Sequence, residues 1–307
     1  MSEQFTYSAH GKFLITGEYV VLDHVPALAI PLKLDQYLKI IPRTNGTITW
    51  KSYDVDGSLW FETSFTVTQL IDASVDTFSN PIESKLIQLL RYAIWLNLLA
   101  LDKIDKGFEA VTTLDFNRTY GMGTSSTLVS LIAQWLECDP YALQFECFGG
   151  SGYDIACATA RQPLIYKYHE LLPEVETVDW IPAIKDQLFF VYLNRKQNSR
   201  DSIARFDKRF ITPSLREELI TMPQQFMEAS KSLAAFEEVT KRHEVIIGAL
   251  IGLESVQSRL FPDYSGAIKS LGGWGGDFVM ATGDVSSRQY FIDKGYDVIY
   301  GWDDLIL

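Results

Sequence analysis

One segment of this chain combines glycines and hydroxyl residues in an order suited to binding phosphate. It reads Gly-Met-Gly-Thr-Ser-Ser-Thr and lies between a β-rich stretch and an apolar stretch with helical spacing. Glycines let the backbone approach a ligand closely, and the unpaired N–H groups of a helix start favour an anion. The hydroxyls can also bind Mg²⁺. The alternative interpretation of this segment is an ordinary capped helix start that binds no ligand. The candidate contacts are Gly121, Met122, Gly123, Thr124, Ser125 and Ser126.

A second glycine-rich segment lies near the end of the chain. Gly272 to Gly276 contains four glycines in five positions, interrupted by Trp274 and followed by Asp277. That many glycines cost chain entropy and exceed what a plain hairpin needs. We therefore expect another backbone or a ligand to approach closely there, with a glycine-rich turn as the alternative.

Three charged residues stand beside such loops. Asp154 follows Gly-Ser-Gly at a predicted helix start, where an acidic residue also serves as a simple cap. Lys12 opens an apolar strand and Glu18 follows its end. Because a lone lysine is usually a solvated surface charge, these residues indicate chemistry only in combination with the loops.

The composition excludes several classes of protein. Among 307 residues, 27 Lys and Arg stand against 39 Asp and Glu, which gives a formal charge of −12. This balance argues against nucleic-acid binding, since that affinity comes mostly from cations neutralising phosphates. Any anion site must therefore be built locally from backbone N–H groups and a few cations. Apolar residues make up 47%, which is typical of a globular protein.

The positions of cysteines, histidines and apolar residues indicate the cellular compartment and argue against a zinc site. The three cysteines lack CxxC spacing and the four histidines form no HExxH motif, so we expect reduced core thiols and no zinc site. The first thirteen residues contain no apolar signal core. The most apolar segment, Ile82–Leu101, is interrupted by charges. We expect a cytoplasmic protein with no membrane partner.

The first half of the chain predicts strands followed by helices. A helix is expected over Pro81–Leu101, a strand over Phe108–Leu114 and a second helix from about Thr124 to Leu136. Short stretches rich in β-branched and aromatic residues predict strands at 12–16, 26–32, 37–43, 47–53, 58–63 and 65–71.

The second half mixes both kinds of element. Helices are expected after Asp139 and from Tyr153, and a polar connection at 173–182 is the candidate domain boundary. The predicted elements after it are a strand at 188–193, three helices within 199–261, a strand on each side of the second glycine loop, a helix at 287–294 and a strand at 296–302. Without regular βαβ alternation, this order predicts an α+β fold.

Read in order, these motifs resemble the GHMP kinase superfamily, which includes galactokinase, homoserine kinase, mevalonate kinase and phosphomevalonate kinase. The similar segments are GKFLITGEYVVLDHVPALAIPL, GMGTSST and KSLGGWGGDF. The resemblance implies two α+β domains with the active site in the cleft between them. Residues 1–182 would form a nucleotide-binding half like ribosomal protein S5 domain 2, and 183–307 a ferredoxin-like half.

Two details favour the mevalonate branch of that superfamily. The segment GSGYDIA is similar to the GSGxDVA of phosphomevalonate kinases, and Asp277 after the last glycine fits the same pattern. Two departures stand out. Thr119 replaces a usual glycine, and Trp274 replaces another, which predicts a bulky ring beside the nucleotide or substrate.

The resemblance implies transfer of the γ-phosphoryl group of ATP to mevalonate or phosphomevalonate. Asp154 would be the catalytic aspartate, and Lys12 would keep it ionised and stabilise the developing charge. Ser125 would bind Mg²⁺. The glutamate that binds Mg²⁺ in mevalonate kinases aligns with Leu143 in this chain, and Glu146 is the nearest carboxylate. The candidate substrate contacts are Glu18, Lys196, Arg200, Gly273 and Trp274.

Some of these interpretations stay open. The polar loop carrying Lys196 and Arg200 is equally consistent with an exposed loop that binds nothing. A decarboxylase like diphosphomevalonate decarboxylase shares the fold, and a non-catalytic nucleotide-binding relative is a further alternative. The expected partner is a small-molecule substrate, and the sequence leaves a homodimer open.

Overall fold

The computed structural model describes residues 4–72, 80–169, 172–196 and 206–307. Contacts between Cα atoms divide the chain into two compact units that interleave in sequence. The first unit comprises Met1–Gly11, Leu34–Arg118 and Met122–Thr159, and the second comprises Lys12–Lys33, Thr119–Gly121 and Ala160–Leu307. The predicted division at residue 182 stays a prediction about the two halves of the chain.

The strands of the first half agree with the prediction in most places. They are β1 (Phe5–Thr16), β2 (Ala27–Pro42), β3 (Thr47–Tyr53), β4 (Leu59–Thr66) and β5 (Phe108–Leu114). In the first unit, β5 pairs antiparallel with β2 and parallel with β3, which in turn pairs antiparallel with β4. The separate strands predicted at 26–32 and 37–43 are wrong, because β2 runs through both without a break.

Several helices of the first unit begin just after a residue whose side chain caps them. They are α1 (Val67–Ile71), α2 (Pro81–Leu96), α3 (Leu101–Ile104), α4 (Thr124–Leu136), α5 (Pro140–Cys147) and α6 (Tyr153–Thr159). Asn80 caps α2 just before Pro81, and Asp139 caps α5 just before Pro140. Helices α2 and α4 pack their apolar faces into one core with the sheet, where Phe108 meets Trp135 edge to face at 4.7 Å.

Two element predictions in this unit are wrong. The segment 67–71 is helical rather than extended, because Thr66 and Gln69 form a reciprocal capping box. The helix predicted over Pro81–Leu101 ends at Leu96, because Asn97 takes an extended conformation and its side chain accepts from the Leu99 N–H. A short 3₁₀ turn then leads into α3.

The second unit contains a four-stranded antiparallel sheet. Its strands are β8 (Leu188–Tyr192), β9 (Ile268–Ser270), β10 (Phe278–Thr282) and β11 (Ile299–Gly301), in the order β11-β8-β10-β9. Every residue of β8 and β10 is buried. In the same unit, β6 (Leu164–Lys167) pairs with the first residues of β2 and with β7 (Glu174–Thr177).

The described helices of the second unit lie between and after the strands of that sheet in sequence. They are α7 (Pro213–Ala229), α8 (Leu233–Ile251), α9 (Val256–Leu260), α10 (Val285–Asp293) and α11 (Trp302–Leu305). Helix α8 packs against α7 and β9. The strand predicted at 296–302 is shorter than expected, since Trp302 already begins α11. The predicted α+β class is confirmed. Among the described residues, every helix is too short or too polar to cross a bilayer.

Candidate functional site

In the first unit, the predicted phosphate loop leads into an open helix start. Gly123 precedes α4 with a φ of 103°, and no side chain in the described part of the chain caps the helix. The Ser126 hydroxyl donates to the Gly123 carbonyl oxygen at 2.9 Å and is buried, whereas Ser125 is exposed. The first amides of α4 and the Ser125 hydroxyl therefore provide the donors expected for an anion.

In the second unit, the predicted motifs converge on Gly121. The Lys12 ammonium donates to the Gly121 carbonyl oxygen at 3.1 Å. The carboxyl group of Asp277 lies directly against the Gly121 Cα, where a Cβ would collide with it. Gly121 has a φ of 69°. The glycine is therefore needed both for its backbone conformation and for the approach of Asp277.

Asp277 is fixed by its own backbone. Its φ is 54°, an uncommon value for a residue other than glycine. Its N–H donates to the Arg195 carbonyl oxygen at 2.6 Å, and its carbonyl oxygen accepts from the Leu193 N–H at 2.8 Å. These bonds tie the end of the second glycine loop to the segment that follows β8, and so set where the Asp277 carboxylate points.

Asp154 lies in the first turn of α6, as predicted, and belongs to the first unit. Its side chain is half-buried, and one carboxylate oxygen accepts from the Ile155 N–H at 3.1 Å. Helix α6 packs against α4, so the two helices that carry Asp154 and Ser125 are neighbours. Because Lys12 belongs to the second unit, its predicted pairing with Asp154 stays a prediction.

Glu18 is almost fully buried in a cluster of charged side chains within the second unit. It pairs with Lys269, and its other oxygen lies 3.2 Å from Nε2 of His243. Burial opposes ionisation of Glu18, but the charges and hydrogen bonds of Lys269 and His243 together outweigh burial and lower the pKa of this carboxyl. Burial also lowers the pKa of His243, which favours a neutral ring.

Glu244 completes this cluster. Its oxygens accept from the Ser270 N–H at 3.0 Å and the Ser270 hydroxyl at 2.9 Å, and one of them lies 3.4 Å from the Lys269 ammonium. Burial raises the pKa of Glu244 to about 7, although Lys269 acts in the opposite direction. Lys269, His243 and Glu244 are functional candidates that no motif in the sequence marks as such. The available signal was a lysine inside the apolar segment Ala267–Leu271, since lysine is rarely buried without a partner.

The second glycine loop is anchored by its tryptophan. Trp274 is 1% exposed and packs among apolar residues that include Tyr19 and Ile247. Its backbone N–H donates to the Tyr19 hydroxyl oxygen at 3.0 Å. Neighbouring Gly273 is half-buried. The substrate contacts predicted for Gly273 and Trp274 stay predictions, and the ring itself packs against protein.

The remaining predicted residues are Glu146, Lys196 and Arg200, together with Leu143 where alignment places the acidic ligand. Glu146 is exposed on α5 and lines a cavity of about 450 Å³ together with Tyr92 and Trp95 of α2. Leu143 is fully buried. No group of three or more potential metal-ligating side chains occurs within the described ranges, so the acidic Mg²⁺ ligand stays a prediction. Lys196 follows β8, and Arg200 lies outside the described residues.

Comparison with known proteins connects this geometry to a fold. No protein-family model and no curated protein matches the chain. Among solved structures, mevalonate kinase from Methanococcus jannaschii is similar with a TM-score of 0.70 and 13% identity, covering 97% of each chain.

Two further solved structures have the same fold. Phosphomevalonate kinase from Streptococcus pneumoniae, in complex with phosphomevalonate and AMPPNP, has a TM-score of 0.69 and 16% identity over 97% of this chain and 99% of its own. Galactokinase from Lactococcus lactis, complexed with galactose, has a TM-score of 0.65 and 12% identity over 97% and 93%. The chain therefore has the GHMP kinase fold, as the motif resemblance predicted.

Proposed function

We propose that this protein is an ATP-dependent small-molecule kinase that phosphorylates a mevalonate-type acceptor, mevalonate or phosphomevalonate. The observation that carries the proposal is the convergence on Gly121. The lysine of the first motif, the glycine of the second and the aspartate of the third meet there within one unit. Three motifs that are distant in sequence have a reason to meet when they build one site.

The nucleotide would bind at the start of α4. The uncapped amides of its first turn and the exposed Ser125 hydroxyl fit phosphate oxygens without any large cationic patch. Mg²⁺ usually keeps several waters and is bound through one or two carboxylates beside the phosphates, so Ser125 would share the ion with an acidic residue, for which Glu146 is the candidate. When bound, the ion would neutralise charge on the phosphate oxygens.

Asp154 and Lys12 would act on the group being transferred. With an alcohol acceptor, Asp154 takes the hydroxyl proton as the acceptor oxygen bonds to the γ-phosphorus. The bond from that phosphorus to the β,γ-bridging oxygen breaks, and its electron pair leaves with ADP. Lys12 stabilises negative charge on the transferred phosphoryl oxygens. A phosphate acceptor is already ionised, so Asp154 would then orient it.

The motif GSGYDIA favours the mevalonate branch, and the ligands named for the Streptococcus pneumoniae structure support it. The galactokinase likeness makes a sugar the natural competing acceptor. Lys196, just after β8, is the candidate contact to an acceptor carboxylate or phosphate. Glu18 is buried and paired with Lys269, so we assign it a structural role near the site in place of direct substrate contact.

A coupled assay of ADP release tests the proposal. Mg-ATP is supplied with mevalonate, phosphomevalonate or galactose, and CO₂ is measured in parallel to detect a decarboxylase. Asp154→Ala should reduce acceptor-dependent release by about 10²–10⁴-fold. Asp102→Ala removes an exposed aspartate from the first turn of another short helix in the same unit and should change the rate less than twofold. Absence of ATP binding would refute the proposal, and turnover of galactose alone would refute its acceptor class.

A further inference from the structure

Four ionisable side chains are buried together in the second unit. Glu18, His243, Glu244 and Lys269, here called the buried quartet, are 1%, 0%, 3% and 0% exposed. The proposed chemistry uses none of them directly. A buried ionic cluster is weak as a source of stability, because well-packed apolar residues often serve equally well. Its position in the unit suggests another role.

The quartet joins three elements. Glu18 follows β1, Lys269 lies in β9, and His243 and Glu244 lie on successive positions of α8. Lys269 pairs with Glu18 and lies 3.4 Å from Glu244. It also donates to the Ser270 carbonyl oxygen. Lys269 is thus the cation that lies against both carboxylates of the quartet.

Residues next to the quartet connect it to the second glycine loop. Tyr19 directly follows Glu18 and has a φ of 63°, a strained value for an aromatic residue. Its hydroxyl accepts the Trp274 N–H, and the Trp274 ring lies over Gly248 of α8. The Glu18–Tyr19 turn and the second glycine loop are therefore held to the same helix.

The far end of that loop reaches the proposed site. Asp277 follows the last glycine and lies against Gly121, whose carbonyl oxygen binds Lys12. Within the second unit, a path of contacts and peptide links thus runs from Lys269 through Glu18, Tyr19 and Trp274 to Asp277.

We propose that Lys269 is a positioning residue for phosphoryl transfer. Its ion pair with Glu18 holds the Glu18–Tyr19 turn and the second glycine loop so that Asp277 meets Gly121. This inference rests on the proposed kinase function. The start of α4, where the nucleotide phosphates would bind, belongs to the first unit. Loss of Lys269 should therefore impair turnover and acceptor use more than nucleotide affinity.

Lys269→Met, with Lys185→Met as the matched control, tests this role. Lys185 is in the same unit and pairs with Asp303 at 2.7 Å on an exposed surface. Per folded molecule, Lys269→Met should lower kcat/KM for the acceptor at least tenfold and change the Kd of AMPPNP less than threefold. A purely structural role would lower the folded fraction and leave KM and Kd unchanged. Lys269→Arg, which keeps the charge, should recover part of kcat/KM.

Amide hydrogen exchange separates failure of this inference from failure of the kinase proposal. In Lys269→Met, residues 271–277 should exchange at least tenfold faster than in Lys185→Met, whether or not any acceptor is turned over. Unchanged exchange in that segment would overturn the positioning role. If Lys269→Met does not fold, Glu18→Gln/Lys269→Met removes both charges of the pair and is held to the same exchange criterion.

Discussion

The two glycine-containing loops of this protein are built in opposite ways. In the first unit, the loop before α4 ends on an uncapped helix start with the Ser125 hydroxyl exposed. In the second unit, the loop from Gly272 to Gly276 is anchored by a tryptophan that is 1% exposed, beside a buried charge cluster. The first loop presents hydrogen-bond donors to solvent, and the second is fixed by the packing of its buried tryptophan.

This difference shows what glycine does and does not reveal in a sequence. Both loops contain a glycine with a positive φ, but only one of the two glycines is approached closely. At Gly121 the carboxyl group of Asp277 occupies the space that a Cβ would need, whereas nothing lies within 4 Å of a Cβ built at Gly272. A loop glycine therefore indicates either a close approach or a positive φ, and only the fold determines which of the two applies.

Trp274→Gly should have the largest effect on stability. It introduces the glycine of the motif that this loop resembles but removes a buried ring from the apolar cluster around Tyr19. Emptying such a site costs about 3–5 kcal/mol of unfolding free energy. Chemical denaturation would measure the loss. A cost below about 1 kcal/mol would show that the second loop is not anchored by its tryptophan.

Trp274→Phe is the matched control for that variant. It keeps an aromatic ring and removes an indole N–H that has no acceptor among the described residues. Losing an unsatisfied buried donor offsets part of the lost packing. We expect less than half the destabilisation of Trp274→Gly, and equal losses would mean that the ring is not what matters.

Glu244→Gln should change how stability depends on pH. The pKa of Glu244 is raised from 4.5 to about 7. Its stabilising contribution is thus complete below about pH 4.5 and is lost as the pH rises through 7. The variant lacks this loss, so its unfolding free energy relative to wild type should rise by up to about 3 kcal/mol between pH 5 and 8.5.

Denaturation at a series of pH values would measure this effect. The charged and titratable groups facing Glu244 are Glu18, His243 and Lys269, and they are present in both proteins. Comparison of variant with wild type therefore isolates Glu244 to first order. A stability difference that stays constant across the range would show that Glu244 does not titrate near neutrality.

Gly121→Ala and Gly272→Ala compare the two loops directly. Their φ values are 69° and 65°, so alanine pays a similar backbone cost of about 1–2 kcal/mol at either position. Only at Gly121 does the new Cβ collide with Asp277, whereas the space at Gly272 is open. Gly121→Ala should be less stable by a further 1–2 kcal/mol or so and should lose more activity. Equal losses would contradict the close contact.

Much of the fold follows from local sequence. The strands Thr47–Tyr53 and Phe108–Leu114 and the helix Thr124–Leu136 have the predicted bounds, because their apolar periodicity is clear. The segment 67–71 was predicted wrongly, since its β-branched residues favour a strand while one capping box decides for a helix. Whether a short segment forms a helix or a strand can depend on a single local contact, and the spacing of apolar residues does not show that contact.

The site was predictable only in part. Glycines, Lys12 and Asp154 carry motif signals, and Gly121 and Lys12 are brought together as neighbours. Lys269 was missed because its partner Glu18 is 251 positions away. No local pattern shows which charges will share a core. The depth of Trp274 was equally invisible, since a tryptophan between glycines fits a ligand contact as well as an anchor.

Ser126→Ala and Ser125→Ala should have the smallest effects on stability. The first should mainly lower stability, and the second should mainly change the Mg²⁺ requirement. Ser126 is buried and donates to the Gly123 carbonyl oxygen, so its loss should cost about 1 kcal/mol. Ser125 is exposed, so its loss should change stability by less than about 0.5 kcal/mol. If Ser125 anchors Mg²⁺, its variant should nevertheless require a higher Mg²⁺ concentration for half-maximal ADP release. Thermal denaturation and Mg²⁺ titration of both variants would show whether the α4 loop is built for binding, because an ordinary helix start would give no shift in Mg²⁺ dependence for Ser125→Ala.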